Sequence, residues 1–320
     1  MKRFVHNRFL LLLSIMLASH ALYGQAAGSN NPFLADPTVF YHKGVYYLYG
    51  TGGEHNRDGG FIVFTSADKK SWQYGGFVLK KGESYGSKGF WAPQVFEYKG
   101  RFYMAYTANE HIAIAEADSP LGPFTQKELK PVDTATRMID PFLFFDSGKI
   151  YLYHVRLQEG NRIFVAELND DFSAIKKETL KESINAVQPW EDTQNVAWKV
   201  AEGPTVLKHK GIYYMVYSAN DFRNPDYAIG YATAASPMGP WKKYEDNPII
   251  SRNNLGVKGP GHGDILMDKN GTMFYVFHVH NSDTDVSPRK TAIINIQFKK
   301  VAGVPDKIVA QRSTFRFLKK

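Results

Sequence analysis

Residues 200–220 read VAEGPTVLKHKGIYYMVYSAN. One acidic residue, Glu202, stands just before a segment that alternates like a strand and is crowded with tyrosine. The stretch has a simple grammar: a polar start marked by proline, an alternating strand, a turn containing Gly211, and a second strand rich in aromatics. That is a β-hairpin. The same grammar recurs in ADPTVFYHKGVYYLYGTG from Ala35, WAPQVFEYKGRFYMAYTA from Trp91, IDPFLFFDSGKIYLYHVR from Ile139 and HGDILMDKNGTMFYVFHV from His262. The turn glycines Gly44, Gly100, Gly148, Gly211 and Gly271 recur at roughly 50- to 60-residue intervals.

More strand and turn follow the hairpins, as in GGFIVFTSADKKSWQ, HIAIAEADSPLGPF, NRIFVAELNDDF and YAIGYATAASPMGPW. These read as a third strand and the approach to a fourth. Four strands repeated five times predict an all-β fold, a five-bladed β-propeller with four-stranded antiparallel blades. A β-sandwich does not need five copies of one aromatic hairpin, and a solenoid needs a shorter period. Trp72 and Trp241 fall in the outer SADKKSW and SPMGPW segments and are expected between blades.

The composition narrows the function. Of 320 residues, 14% are aromatic, including 19 Tyr and 22 Phe, which suits strands and sugar-stacking surfaces alike. The net charge of +8 comes from scattered rather than clustered Lys and Arg, so a nucleic-acid partner is not expected. With no cysteine there is no disulfide framework, thiolate metal site or lipid-bearing N-terminal Cys. The first residues, MKRFVHNRFLLLLSIMLASHALYGQAAG, place Lys2, Arg3 and Arg8 before an apolar run from Phe9 to Ala18, and small residues follow. This is a secretory signal pattern. Residues 1–26 are expected to be removed, with the new N-terminus between about Gly24 and Gly28. Residues 27–320 would form one propeller domain, secreted or periplasmic, with no membrane span.

In a propeller, the innermost strand of each blade lines a central channel. The residues that begin those strands form a ring at one mouth, although they are far apart in sequence. Read at the position before the proline, the ring holds Asp36, Ala92, Asp140 and Gly203, with Gly263 aligned to them. One residue earlier it holds Ala35, Trp91, Ile139, Glu202 and His262. Asp36, Asp140 and Glu202 thus converge on one pocket. Any one Asp before Pro, taken singly, reads more readily as a turn residue or cap. Three carboxylates at equivalent places beside a channel read as a shared site. Glycoside hydrolysis needs two carboxyl groups of separated pKa, one to protonate the leaving oxygen and one to activate water or attack. A third carboxylate raises the pKa of the acid by repulsion.

ADPTVF, GFWAPQVF, MIDPFLF, AEGPTVLKHKGIYYMVYS and GPGHGDI, in this order and spacing, resemble glycoside hydrolase family 43, five-bladed propellers acting on arabinose- and xylose-containing polysaccharides. The resemblance implies that Asp36 is the general base, Glu202 the general acid, and Asp140 the residue that orients Glu202 and raises its pKa, with inversion at the anomeric carbon. It implies that Arg289 contacts sugar hydroxyls or the catalytic carboxylates. It also implies a possible calcium ion held through water by His262, which otherwise reads as a hydrogen-bonded core histidine. Trp91 is expected as a wall of the sugar pocket or as blade packing, and Phe33 and His278 as further residues near the mouth.

No organic cofactor is expected. The substrate would be an oligo- or polysaccharide, and exo-acting α-L-arabinofuranosidase the activity. β-Xylosidase, endo-arabinanase and an exo-galactan or galactofuranose hydrolase are the alternatives within the family, and a non-catalytic carbohydrate-binding propeller the alternative outside it. The loops GTGGEHNRDGG and SANDFRNPDY are expected to shape the subsites. The oligomeric state is left open.

Overall fold

The computed structural model describes residues 31–53 and 59–320. Residues 1–30, with the expected signal segment, and residues 54–58 of the first expected subsite loop lie outside the described residues. Five antiparallel sheets succeed one another along the chain. The first blade holds β1 (Leu34–His42), β2 (Val45–Gly52), β3 (Gly60–Ser66) and β4 (Gln73–Lys80). The second holds β5 (Trp91–Tyr98), β6 (Arg101–Ala108) and β7 (His111–Ala117). The third holds β8 (Met138–Asp146), β9 (Lys149–Leu157), β10 (Asn161–Leu168) and β11 (Lys181–Ile184). The fourth holds β12 (Ala201–His209), β13 (Ile212–Ala219), β14 (Ala228–Ala234) and β15 (Lys242–Lys243). The fifth holds β16 (Gly261–Met267), β17 (Met273–Val279), β18 (Lys290–Lys299) and β19 (Lys307–Phe317). This is the five-bladed propeller. No helix among the described residues is long and apolar enough to cross a membrane.

The fourth-strand position of the second blade is reduced to one pair, Glu116 with Thr125, joined by backbone bonds of 2.9 and 3.0 Å. Pro120, Pro123 and Pro131 interrupt this segment, and proline has no N–H to give a ladder. The similar SPMGPW segment of the fourth blade leaves only the two residues of β15.

Four of the inner hairpins turn on two residues: Lys43-Gly44, Lys99-Gly100, Ser147-Gly148 and Lys210-Gly211. Both residues of each pair have positive φ, the conformation that matches a two-residue turn to the strand twist. The fifth hairpin uses a longer loop from Asp268 to Thr272, with Gly271 at φ 78°. There the Asp268 carboxylate accepts bonds from the amides of Asn270 and Thr272.

The tyrosine-rich strands make sense in the packing. On β13, Tyr214 and Val216 join the cluster shared with the fifth blade, while Met215 and Tyr217 join the one shared with the third. On β9, Tyr151 and Tyr153 face the fourth blade, and Ile150 and Leu152 the second. With period 2, alternate side chains point to opposite faces, and here both faces are buried. Five apolar clusters result, one for each seam between blades. Trp72 lies in the seam between the first and fifth blades and Trp241 in that between the third and fourth.

The ring closes where Asn31 meets the fifth blade. Its Nδ2 donates to the carbonyls of Thr291 (2.9 Å) and Leu318 (3.0 Å), and its Oδ1 accepts from the Thr291 amide (3.0 Å). The Trp72 amide reaches the Lys319 carbonyl at 2.8 Å.

Candidate active site

Each innermost strand opens with a bulge. At each bulge one residue adopts positive φ: Asp36 (46°), Ala92 (45°), Asp140 (56°), Gly203 (60°) and His262 (35°). A bulge bends its strand and re-aims the local side chains. This geometry corrects the sequence alignment in the fifth blade. His262, not Gly263, is the counterpart of Asp36, and Gly261 stands where Glu202 does. The fifth repeat has no proline at this point to set its register.

The backbone amides of these ring residues are satisfied from the preceding blade. Ala92 N–H donates to Thr51 Oγ1 (2.9 Å), Asp140 to Thr107 Oγ1 (3.0 Å), His262 to Ser218 Oγ (2.8 Å) and Asp36 to His278 Nδ1 (3.1 Å). The equivalent partner for Gly203 would be Val155, which has no acceptor. Gly203 N–H donates instead to Asp140 Oδ2 at 3.2 Å.

The ring surrounds a cavity of about 350 Å³, lined by Asp36, Asp140, Glu202, His262, Arg289 and Trp91, with further residues from the outer loops. Six of the eight residues marked out from the sequence therefore meet in one place. The exceptions are His278 and Phe33, which is 8% exposed, and neither is among the lining residues. Phe33 sits at positive φ with its amide bonded to Asn31 Oδ1, part of the ring closure rather than of the pocket. His278 is fully buried behind Asp36. Trp91 presents an exposed ring to the cavity (38%).

The three carboxylates have unlike surroundings. Burial by itself would raise the pKa of Asp36. The Arg289 guanidinium, 3.0 Å from Oδ1, overcomes this together with His262 and His278 and holds the carboxyl well below its usual range. Arg289 is itself fixed over the ring of Phe222, 4.6 Å from its centroid. Among the described residues Glu202 has no cationic partner. Its Oε1 accepts from the Tyr227 hydroxyl and its Oε2 from Asn161 Nδ2, both at 2.8 Å. Burial pushes its pKa up to about 7; these two bonds oppose the rise, and the charges of Asp36 and Asp221 add to it. Asp140 is also raised, by burial first and then by Glu202 and Asp36, while the Gly203 amide opposes. His262 Nδ1 lies between Asp36 Oδ1 (3.4 Å) and Asp140 Oδ2 (3.6 Å). Burial lowers the pKa of His262 and brings that of His278 down to about 3, so both rings are neutral at pH 7.

Among the described residues no group of three His, Asp or Glu side chains is placed to hold a metal ion. His262 turns its Nδ1 to two carboxylates. The protein atoms at this point do not supply the six to eight oxygen ligands that calcium takes, so no step of the chemistry below is routed through an ion.

The sequence reading missed Asn161, Tyr227 and Trp198. Asn161 begins β10, Trp198 lies between β11 and β12, and Tyr227 closes the loop after β13. That loop, SANDFRNPDY, was expected to shape the pocket, and it also contributes Asp221, Phe222 and Arg223 to the wall. The segment carrying Trp198 is fastened through Glu191, which is fully buried. Its carboxylate accepts from Tyr217 OH (2.6 Å), Lys243 Nζ (2.6 Å) and the amides of Val187 (2.7 Å) and Gln188 (2.6 Å).

Comparison with known proteins agrees with this geometry. The chain is 40% identical to endo-1,4-beta-xylanase from Bacteroides thetaiotaomicron VPI-5482, with a TM-score of 0.83 over 91% of this chain and 98% of that structure. It is 28% identical to a xylosidase/arabinosidase of Butyrivibrio fibrisolvens, over 78% of this chain and 50% of that enzyme, so it spans half the length of that relative. It is 24% identical to the beta-D-galactofuranosidase xynD of Aspergillus niger, over 84% of this chain and 81% of that enzyme. The model of glycosyl hydrolases family 43 matches residues 30–301. A propeller mouth with three converging carboxylates and a family match over most of the sequence lead to one conclusion: this chain belongs to glycosyl hydrolases family 43.

Proposed function

We propose that the protein is an inverting, exo-acting α-L-arabinofuranosidase that uses Asp36 as general base and Glu202 as general acid. One observation carries the assignment: two carboxylates of one cavity lie in opposite environments, Asp36 against a guanidinium and Glu202 against a neutral hydroxyl and amide. Asp36 is ionised and fit to take a proton from water. Glu202, with a pKa of about 7, is fit to give one. In this reading the water oxygen bonds to the anomeric carbon as its proton passes to Asp36. The glycosidic bond breaks, and the departing oxygen takes the proton of Glu202. Asp140 and Glu202 both have raised pKa values, so near neutrality the pair retains a proton between them. Asp140 thereby helps to keep Glu202 in its acid form.

The small cavity supports action on a terminal sugar, since its volume is at the lower end for ligand pockets. The preference for arabinose rests on the resemblance and on the names of relatives. A xylose-directed activity is the second reading, favoured by the 40% identity to a protein named as a xylanase. We read the protein as exported on the strength of its first residues; N-terminal sequencing of secreted material tests this.

The test of the mechanism is kinetic and stereochemical. Glu202→Ala should lose roughly 10²- to 10⁴-fold on natural glycosides but far less on activated aryl glycosides, which need little protonation. Asp36→Ala should impair both alike. Proton NMR should show inverted configuration in the first-formed sugar. Retention, or near-normal turnover by Asp36→Ala, would overturn Asp36 as base. A panel of nitrophenyl arabinofuranosides, xylosides and galactosides, with arabinan and xylan, decides the sugar and the mode of attack.

A further inference from the structure

We propose that Trp198 is the platform for the sugar on the leaving-group side, and that its indole N–H positions the acid through Asn161. The proposal rests on the reading of Glu202 as general acid.

Trp198 is 46% exposed, yet it lines the cavity. Its Nε1–H is directed inward and donates to Asn161 Oδ1 at 2.9 Å. The other end of the same amide, Nδ2, donates to Glu202 Oε2 at 2.8 Å. The three groups therefore form a line from the rim to the acid. An asparagine amide has one acceptor end and one donor end. With Oδ1 claimed by the indole, Nδ2 is the end that meets Glu202. If the indole N–H is removed, the amide is no longer held in that sense.

The backbone carries the same connection. Asn161 N–H donates to the Lys199 carbonyl at 2.8 Å, and Asn161 pairs with Val200 in a parallel bridge. A Cβ at Gly160 would lie 2.6 Å from that Lys199 carbonyl, so the two segments pack as closely as glycine permits. The platform is fixed to the residue that holds the acid. Because the one polar atom of the indole is satisfied within the protein, its ring faces remain for apolar contact, the kind the C–H face of a sugar makes. Trp198 is joined through Asn161 to the group that protonates the departing oxygen, so its exposed face suits the departing sugar.

Glu202 also interacts with Asp140 from β8, Asp36 from β1, and Tyr227 and Asp221 from the loop after β13, and it shares the cavity with His262 from β16 and Arg289 just before β18. These are unchanged when only Trp198 or Asn161 is altered, so a shift between variants reports the amide alone. The bond from Asn161 lowers the pKa of Glu202. Losing it leaves Glu202 protonated to higher pH.

Trp198→Phe keeps an aromatic face and loses the N–H. It should move the basic limb of the kcat/KM profile to higher pH with little change in KM for a disaccharide. Trp198→Ala should make the same shift and also raise KM for oligosaccharides roughly tenfold. For the glycosyl fluoride, which brings no second ring, KM should be unchanged. Asn161→Ala should shift the limb as Trp198→Phe does, and the double variant should shift it no further. Additive shifts, or an unmoved limb in Trp198→Phe, would overturn the relay. A uniform rise in KM, fluoride included, would overturn the platform. If Glu202→Ala keeps its activity on poor leaving groups, the failure lies with the acid assignment instead.

Discussion

The amide of Gly203 donates to Asp140 Oδ2 at 3.2 Å because Val155 has no acceptor to offer it. In the other four blades the equivalent amide is taken up by a Thr, Ser or His side chain of the preceding blade. A break in a repeated hydrogen bond thus ties Asp140 to the residue next to Glu202.

Val155→Thr should restore the repeat. Its hydroxyl would accept from Gly203 as Thr51 does from Ala92. Asp140 would then lose a bond that lowers its pKa and would hold the shared proton more tightly. Glu202 would give up its proton at lower pH. The basic limb of kcat/KM should move to lower pH, opposite to the shift expected for Trp198→Phe. A pH profile of the variant checks this.

Two limbs are expected in the native profile. In the proposed mechanism Asp36 must be ionised, and its carboxyl is held well below the ordinary carboxylate range, so the acid limb lies below that range too. The proposed acid, Glu202, must be protonated, and with its pKa raised to about 7 activity should decline above about pH 7. Arg289→Met should raise the acid limb, since burial then acts on Asp36 without its main counter-charge. It should also destabilise the fold by about 3–5 kcal/mol, the usual consequence of removing one partner from a buried ion pair. The folded pKa of Asp36 is depressed, so its stabilising contribution is present above the unfolded pKa and lost as pH falls through the folded value. Urea titrations at neutral and acid pH would measure both effects.

Glu191→Ala should cost about 3–5 kcal/mol, because it leaves Lys243 buried without its carboxylate and frees two amides and a tyrosine hydroxyl. Its effect on the site should arise through the wall. Residues 192–199 should become open to limited proteolysis, and KM for oligosaccharides should rise while KM for the glycosyl fluoride stays near normal.

The repeats were legible because every inner hairpin uses the same solution: alternating apolar residues for two buried faces, and a Gly turn. Asp36, Asp140 and Glu202 could be placed at one mouth because they sit at repeat positions. His262 was placed one residue off, since without proline its bulge has no mark in the sequence. Asn161 begins β10, where the residue type changes from blade to blade, and Trp198 and Tyr227 lie on connections that also differ, so no periodicity exposes them. Phe33 reads like a mouth residue because it lies three positions before Asp36. Its amide bond to Asn31 turns that segment to ring closure instead.

The closure at Asn31 sets an order of events in folding. Its bonds to Thr291 and Leu318 join residues 260 and 287 positions apart, whereas each blade is built mainly from neighbours in sequence. Loop-closure entropy makes such distant contacts slow to form. The seam between the first and fifth blades is therefore the last to assemble, and the place where hydrogen exchange should first report opening. Asn31→Ala should hasten unfolding more than it slows refolding, since contacts made after the transition state act chiefly on the unfolding rate.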